Sequence, residues 1–128
     1  MSLLLDTHIL LWVGESPEKL PSDIADMIEN GDDDVAFSTV NIWEIAIKYA
    51  LGRPDFRTDP ALVLRRFREA GYRELAVTSE HAMRVGTLAR LHNDPFDRLL
   101  VAQAMVEGMT LLTADAALAA YPAMVRIV

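Results

Sequence analysis

Four acidic residues stand where carboxylates do chemistry: Asp6, Glu44, Asp97 and Asp115. Asp6 ends the apolar run Ser2-Leu3-Leu4-Leu5, and Asp115 follows Leu111-Leu112-Thr113-Ala114. A hydrophobic strand that stops on a carboxylate delivers the charge to the carboxyl edge of an open α/β sheet, where such folds hold their ligands. Glu44 lies in Val40-Asn41-Ile42-Trp43-Glu44-Ile45-Ala46-Ile47-Lys48. Helical spacing there gathers Asn41, Glu44 and Lys48 on a narrow polar stripe between apolar flanks. Asp97 stands in Asp94-Pro95-Phe96-Asp97-Arg98. Four carboxylates facing one sheet edge form an oxygen-rich pocket suited to Mg²⁺ or Mn²⁺.

Each acid also has a plainer role. Asp6 can cap a helix starting at Thr7 or His8, and Asp115 one at 116–120. Asp94 reads as an N-cap with Pro95 at N1, which leaves Asp97 at N3 where a carboxylate favours the helix dipole. Arg98 is placed to neutralise both aspartates, and Glu44–Lys48 reads as an exposed i,i+4 pair. Capping explains any one of these acids more easily than all four at one edge. Thr7, Ser38, Thr39 and Thr113 are spaced so that their hydroxyls can bind water or hold the carboxylates. His8 and His92 flank the suspected site in sequence, while His81 falls on a helix. There is no HExxH pair, Walker loop, GxGxxG fingerprint or GxSxG elbow, and the absence of cysteine excludes disulfides, thiolate zinc sites and cysteine nucleophiles.

The elements that must carry these residues follow from punctuation and periodicity. Ser2–Leu5 reads as a buried strand and Thr7–Val13 as a short helix. A second helix runs from Ser22 to Gly31, a polar turn spans Asp32–Asp34, and Val35–Phe37 is a strand. Val40–Leu51 is helical to Gly52, and Asp59-Pro60 starts a helix that continues to Gly71. Leu75–Val77 is expected as the third strand, Ser79–Leu91 as a serine-capped helix, and Pro95–Val106 as a helix ended by Gly108. Met109–Leu112 is a strand, Ala114–Ala120 a short helix and Val125–Val128 a last strand. Strands alternating with helices predict a parallel sheet covered on both faces, a three-layer α/β/α domain of four or five short strands. With 128 residues, 52% hydrophobic and 24% charged, a single domain over 1–128 with a real core is expected. No stretch reads as a transmembrane helix or a secretion signal, which with the missing cysteines predicts a cytoplasmic protein.

The net charge of −7 is unevenly spread. Residues 15–34 hold eight acids and one lysine; elsewhere acids and bases balance. Six of the 12 basic residues fall between Arg53 and Arg73, Arg65, Arg66 and Arg68 among them, so the acidity does not exclude a phosphate-bearing substrate.

The motifs Leu-Leu-Leu-Asp6-Thr7-His8-Ile-Leu-Leu-Trp12, Ser38-Thr39-Val-Asn41-Ile-Trp43-Glu44, His92-Asn93-Asp94-Pro95-Phe96-Asp97-Arg98 and Leu-Leu-Thr113-Ala114-Asp115 resemble, in order, those of PIN-domain ribonucleases. Within that family the chain is similar to the VapC-type toxins of bacterial toxin–antitoxin pairs. The resemblance implies a PIN-like fold and a Mg²⁺- or Mn²⁺-dependent endoribonuclease, usually homodimeric and held inactive by a cognate antitoxin. It maps the acidic quartet onto Asp6, Glu44, Asp97 and Asp115, as both metal ligands and catalytic residues, with Asp94 as an ambiguous fifth acid. RNA is the implied substrate, and phosphodiester hydrolysis suits ions that activate water and offset charge. Trp12, Trp43, Ile47 and Tyr49 exceed what a small domain must bury, so part of this surface is expected to meet a second copy or an antitoxin segment. The antitoxin is expected to direct an arginine at the carboxylates. Two other readings compete. A haloacid-dehalogenase-like phosphatase needs a second Asp where His8 stands, and an inactive acidic interaction module would gain no stability from Mn²⁺.

Overall fold

Residues 2–30 and 33–128 are described by the computed structural model; Gly31 and Asp32, expected at the end of the second helix and the start of the following turn, lie outside them. Among the described residues, short apolar runs separated by helices form five strands: β1 (Ser2–Leu5), β2 (Asp34–Ser38), β3 (Arg73–Leu75), β4 (Thr110–Thr113) and β5 (Val125–Ile127). Their order is β3-β2-β1-β4-β5, and every neighbouring pair is parallel. Among the described residues six α-helices lie between them: α1 (Thr7–Glu15), α2 (Ser22–Glu29), α3 (Thr39–Ala50), α4 (Pro60–Glu69), α5 (Ser79–Val85) and α6 (Pro95–Glu107). Among the described residues no helix is long and apolar enough to cross a membrane.

The period of two along each strand sorts the core into two layers. Leu4, Ala36 and Leu111 pack with Leu100, Val101 and Ala104 of α6 on one face. Leu3, Leu5, Val35, Phe37 and Leu112 pack with Ile9 and Leu10 of α1, Ile24 and Ile28 of α2, and Val63 and Phe67 of α4 on the other. This is the expected three-layer α/β/α arrangement. The chain leaves β1 toward β2 on one side, while β4 joins it on the other. Strand order therefore reverses between β1 and β4, and the crevice outside their carboxyl ends is where an open parallel sheet presents a ligand site.

Several boundaries move by one or two residues, and three differences have a clear physical cause. The third strand is Arg73–Leu75, not Leu75–Val77. Its last partner is Ser38, where β2 turns into α3, so Ala76 and Val77 have no ladder to join, and Val77 is exposed. The helix expected over Ser79–Leu91 is capped by Thr78 rather than Ser79 and stops at Val85. Beyond it the Arg98 guanidinium donates to the carbonyls of Val85 (3.3 Å) and Leu88 (3.1 Å), groups that a continuing helix would have bonded internally. Arg98 is thus engaged with backbone and does not neutralise Asp94 and Asp97. The segment after Asp115 is a five-residue 3₁₀ turn, Ala116–Ala120. Pro122 forces the preceding Tyr121 into an extended conformation and ends it.

Candidate active site

The β1 ladder runs one residue past the strand, because Asp6 N–H donates to the Leu112 carbonyl at 3.0 Å. Asp6 is thereby fixed between β1 and β4 at the point where strand order reverses. Its Oδ1 accepts from Ile9 N–H at 2.9 Å, capping α1, and its Oδ2 accepts the hydroxyl of Thr113 from the end of β4. Asp6 is buried, and desolvation pushes its pKa above the usual carboxylate value, against the lowering effect of those two bonds.

Glu44 enters from α3 and is also buried. Its Oε1 accepts the Thr7 hydroxyl at 2.7 Å, and its Oε2 meets the Lys48 ammonium at 2.7 Å. The i,i+4 pair anticipated from sequence is therefore real, but its acid end lies inside the protein rather than in solvent. Asp94 and Asp97 come from the start of α6. Asp94 Oδ1 accepts from the N–H groups of Phe96 (2.9 Å) and Asp97 (3.4 Å), as expected for an N-cap with Asp97 at N3. Asp97 is the least compensated acid. Burial, then the charges of Asp94, Asp6 and Glu44, push its pKa up to about 7, and nearby His92 only partly opposes them.

Asp115 follows β4. Its Oδ1 accepts from Ala117 N–H at 3.0 Å and its Oδ2 lies 2.8 Å from His92 Nε2, a bond that holds its pKa below the usual value. In both Asp6 and Asp115 the cap uses one oxygen only, so capping does not exclude a further role for the other.

Sequence reasoning undervalued His92. Its Nδ1 accepts the Asp94 N–H at 3.0 Å, so in the neutral ring Nε2 carries the proton and donates to Asp115. The same nitrogen lies 3.6 Å from Asp97 Oδ2. Although Nε2 and oxygens of Asp97 and Asp115 come within 4.8 Å of one another, this tautomer presents N–H, not a lone pair. His92 therefore orients Asp115 rather than ligating a metal. The usable signal was the spacing: a histidine two residues before an Asp-Pro helix start can accept that Asp's N–H.

Asp6, Thr7, His8, Trp12, Glu44, Lys48, His92, Asp94, Asp97, Ala114 and Asp115 line one cavity of ≈ 410 Å³. All four candidate acids, and Asp94, meet there. Lys48 is the one Lys or Arg among the residues lining it, so the acids are in excess. The oxygen-rich, under-neutralised donor set fits a hard divalent cation, with the four oxygen-bearing side chains Asp6, Glu44, Asp97 and Asp115 available to hold it. None of Arg53, Arg57, Arg65, Arg66, Arg68 or Arg73 lines the cavity. Arg68 is paired with Glu74 and Arg73 with Asp34, each at 2.8 Å.

The PIN domain family model matches residues 3–123 of the chain. Among curated protein sequences there is no match. VapBC2 from Rickettsia felis, solved bound to a DNA fragment from its promoter, superposes with TM-score 0.77 and 15% identity, covering 100% of this chain and 99% of that one. DNA-bound VapBC from Salmonella typhimurium gives TM-score 0.67 and 15% identity over 100% of this chain and 97% of the other. VapBC-5 from Mycobacterium tuberculosis gives 0.60 and 20%, covering 99% and 97%. At these identities the likeness is one of fold.

Proposed function

The chain belongs to the PIN-domain family, and from that premise we propose that it is a Mg²⁺- or Mn²⁺-dependent endoribonuclease, the toxin of a toxin–antitoxin pair, formed by one PIN domain over residues 1–128. One observation carries the reading: five carboxylates and a single lysine share one cavity at the sheet's reversal point, where burial and then its neighbours' charge push the Asp97 pKa up to about 7. A cluster this crowded is costly without a cation and selective for one.

Asp6, Glu44, Asp97 and Asp115 are the proposed ligands, directly or through water. A bound ion would offset the charge of the phosphodiester and of its leaving oxygen. The chain's own groups do the positioning. Thr113 and Ile9 N–H fix Asp6, Thr7 and Lys48 fix Glu44, and His92 fixes Asp115. Asp97 has a pKa of about 7 in the metal-free chain, and a bound cation would favour its charged form, as a ligand requires. The protein is proposed to act in the cytoplasm.

The three solved neighbours named above are VapBC structures, which supports an antitoxin as partner. The exposed stripe Trp43, Ile47 and Leu51 along α3 and the turn after it supports a protein-binding face, used by the antitoxin or by a second copy in a homodimer. The test is Mn²⁺ titration with RNA cleavage as a second readout. Mn²⁺ at 100 times its Kd should stabilise the native protein by about 3 kcal/mol. Asp6→Asn should remove most of that gain and the cleavage while keeping the fold. Unchanged cleavage in Asp6→Asn refutes the site, and a folded wild type that gains nothing from Mn²⁺ favours the interaction-module reading.

A further inference from the structure

We propose that Asn41 is a positioning residue that, acting through Thr7, fixes the orientation of the Glu44 carboxylate toward the cation. This rests on the reading of Glu44 as a metal ligand. Asn41 is completely buried on α3, one helical turn before Glu44. A buried amide is unfavourable unless both of its ends are bonded, and here both are. Its Oδ1 accepts from Ser38 N–H at 2.7 Å, and its Nδ2 donates to Thr7 Oγ1 at 3.0 Å. The Thr7 hydroxyl in turn donates to Glu44 Oε1 at 2.7 Å.

The direction of this chain is not free. A backbone N–H can only donate, so the Asn41 atom facing Ser38 is the oxygen, and the amide cannot be turned over. Nδ2 must then face Thr7, whose oxygen accepts and whose single proton has only Glu44 left to serve. A main-chain donor at the end of β2 thus sets the polarity of every bond up to the carboxylate. Lys48 holds the other oxygen of Glu44, so both are oriented.

Helix capping accounts for only one end of the Asn41 amide. The Ser38–Asn41 bond is half of a capping box, and Glu or Gln usually supplies that half. A carboxylate there would serve the cap and have no N–H to give Thr7. The chain is also anchored from behind. Ser38 Oγ donates to buried Gln103 Oε1 at 2.6 Å, and Gln103 Nε2 reaches Ala76 O (3.5 Å) and His81 Nδ1 (3.4 Å). His81 Nε2 meets Glu107 at 2.9 Å. The junction at Ser38 is therefore tied to α5 and α6, elements that share no covalent neighbourhood with Glu44.

Calorimetric Mn²⁺ affinity of the full chain tests the role, since removing an outer partner of a ligand weakens metal binding about 10- to 100-fold. Thr7→Val and Asn41→Leu should each weaken binding about tenfold. The double variant should lose no more than the worse single, because both act on one bond chain. Thr7→Ser, which keeps the hydroxyl, should stay within about twofold of wild type, and a tenfold higher Mn²⁺ concentration should restore occupancy of the weakened variants. Should Asn41→Leu fail to fold, the contrast of Thr7→Val with Thr7→Ser decides alone. Wild-type affinity in Thr7→Val, or losses that multiply in the double variant, overturn the positioning role while leaving the metal site standing. A wild type that binds no Mn²⁺ overturns the metal reading and this role with it.

Discussion

Replacing Asp97 with asparagine should stabilise the metal-free protein at neutral pH and leave it unchanged in acid. Asp97 has a pKa near 7 in the folded protein against 3.8 as a free side chain. Each pH unit of such a shift corresponds to about 1.4 kcal/mol, so the upper bound is about 4 kcal/mol. The carboxylate keeps partial contact with solvent, and screening brings the expected effect to about 2 kcal/mol. The sign follows from proton linkage. Between about pH 4 and 7 the native state holds a proton that the unfolded chain has already released. Stability from this group is therefore complete below pH 4, declines through the window and is gone above about pH 7. Asparagine cannot titrate, so the variant lacks this decline. Thermal unfolding in chelator should show equal Tm values near pH 4 and a variant higher by about 6–8 °C at pH 7.5. Added Mn²⁺ should reverse the order at pH 7.5, because the variant has lost a proposed ligand. A variant no more stable than wild type at pH 7.5 in chelator refutes the electrostatic account of the cavity.

Lys48→Met should lower Tm in chelator, since it leaves the buried Glu44 without its ammonium, and saturating Mn²⁺ should recover most of the loss; equal losses with and without Mn²⁺ would separate Lys48 from the metal site. Trp43→Glu should shift sedimentation equilibrium toward monomer at micromolar concentration if the exposed α3 stripe joins two copies, whereas a wild type that is already monomeric leaves that face to the antitoxin. Arg68 is occupied by Glu74, so Arg65→Ala with Arg66→Ala is the cleaner test of RNA entry. Each phosphate contact removed should flatten the salt dependence of RNA affinity by about one unit of slope, with Mn²⁺ binding intact. An unchanged slope would make this part of α4 a solvated face.

The strand-then-carboxylate pattern at Asp6 and Asp115, the Asp94-Pro95 start of α6 and Gly108 at its end were all legible along the chain, because caps, turns and periodicity act over a few residues. So was the layering: alternate residues of Leu3-Leu4-Leu5 had to bury on opposite faces, and they do. The span of β3 was not legible, since it depends on where its partner β2 ends, and the length of α5 was not, since it depends on a guanidinium 13 residues beyond its last carbonyl. The same limit governs the site. Residue types and short spacings nominate acids, but His92 on Asp115, Thr113 on Asp6 and Asn41 on Thr7 are bonds between segments 23 to 107 residues apart. Local chemistry decides which element a residue starts or stops. Only the close packing of those elements decides which carboxylates share a cavity, how much water they lose and how far each is pushed from its ordinary charge.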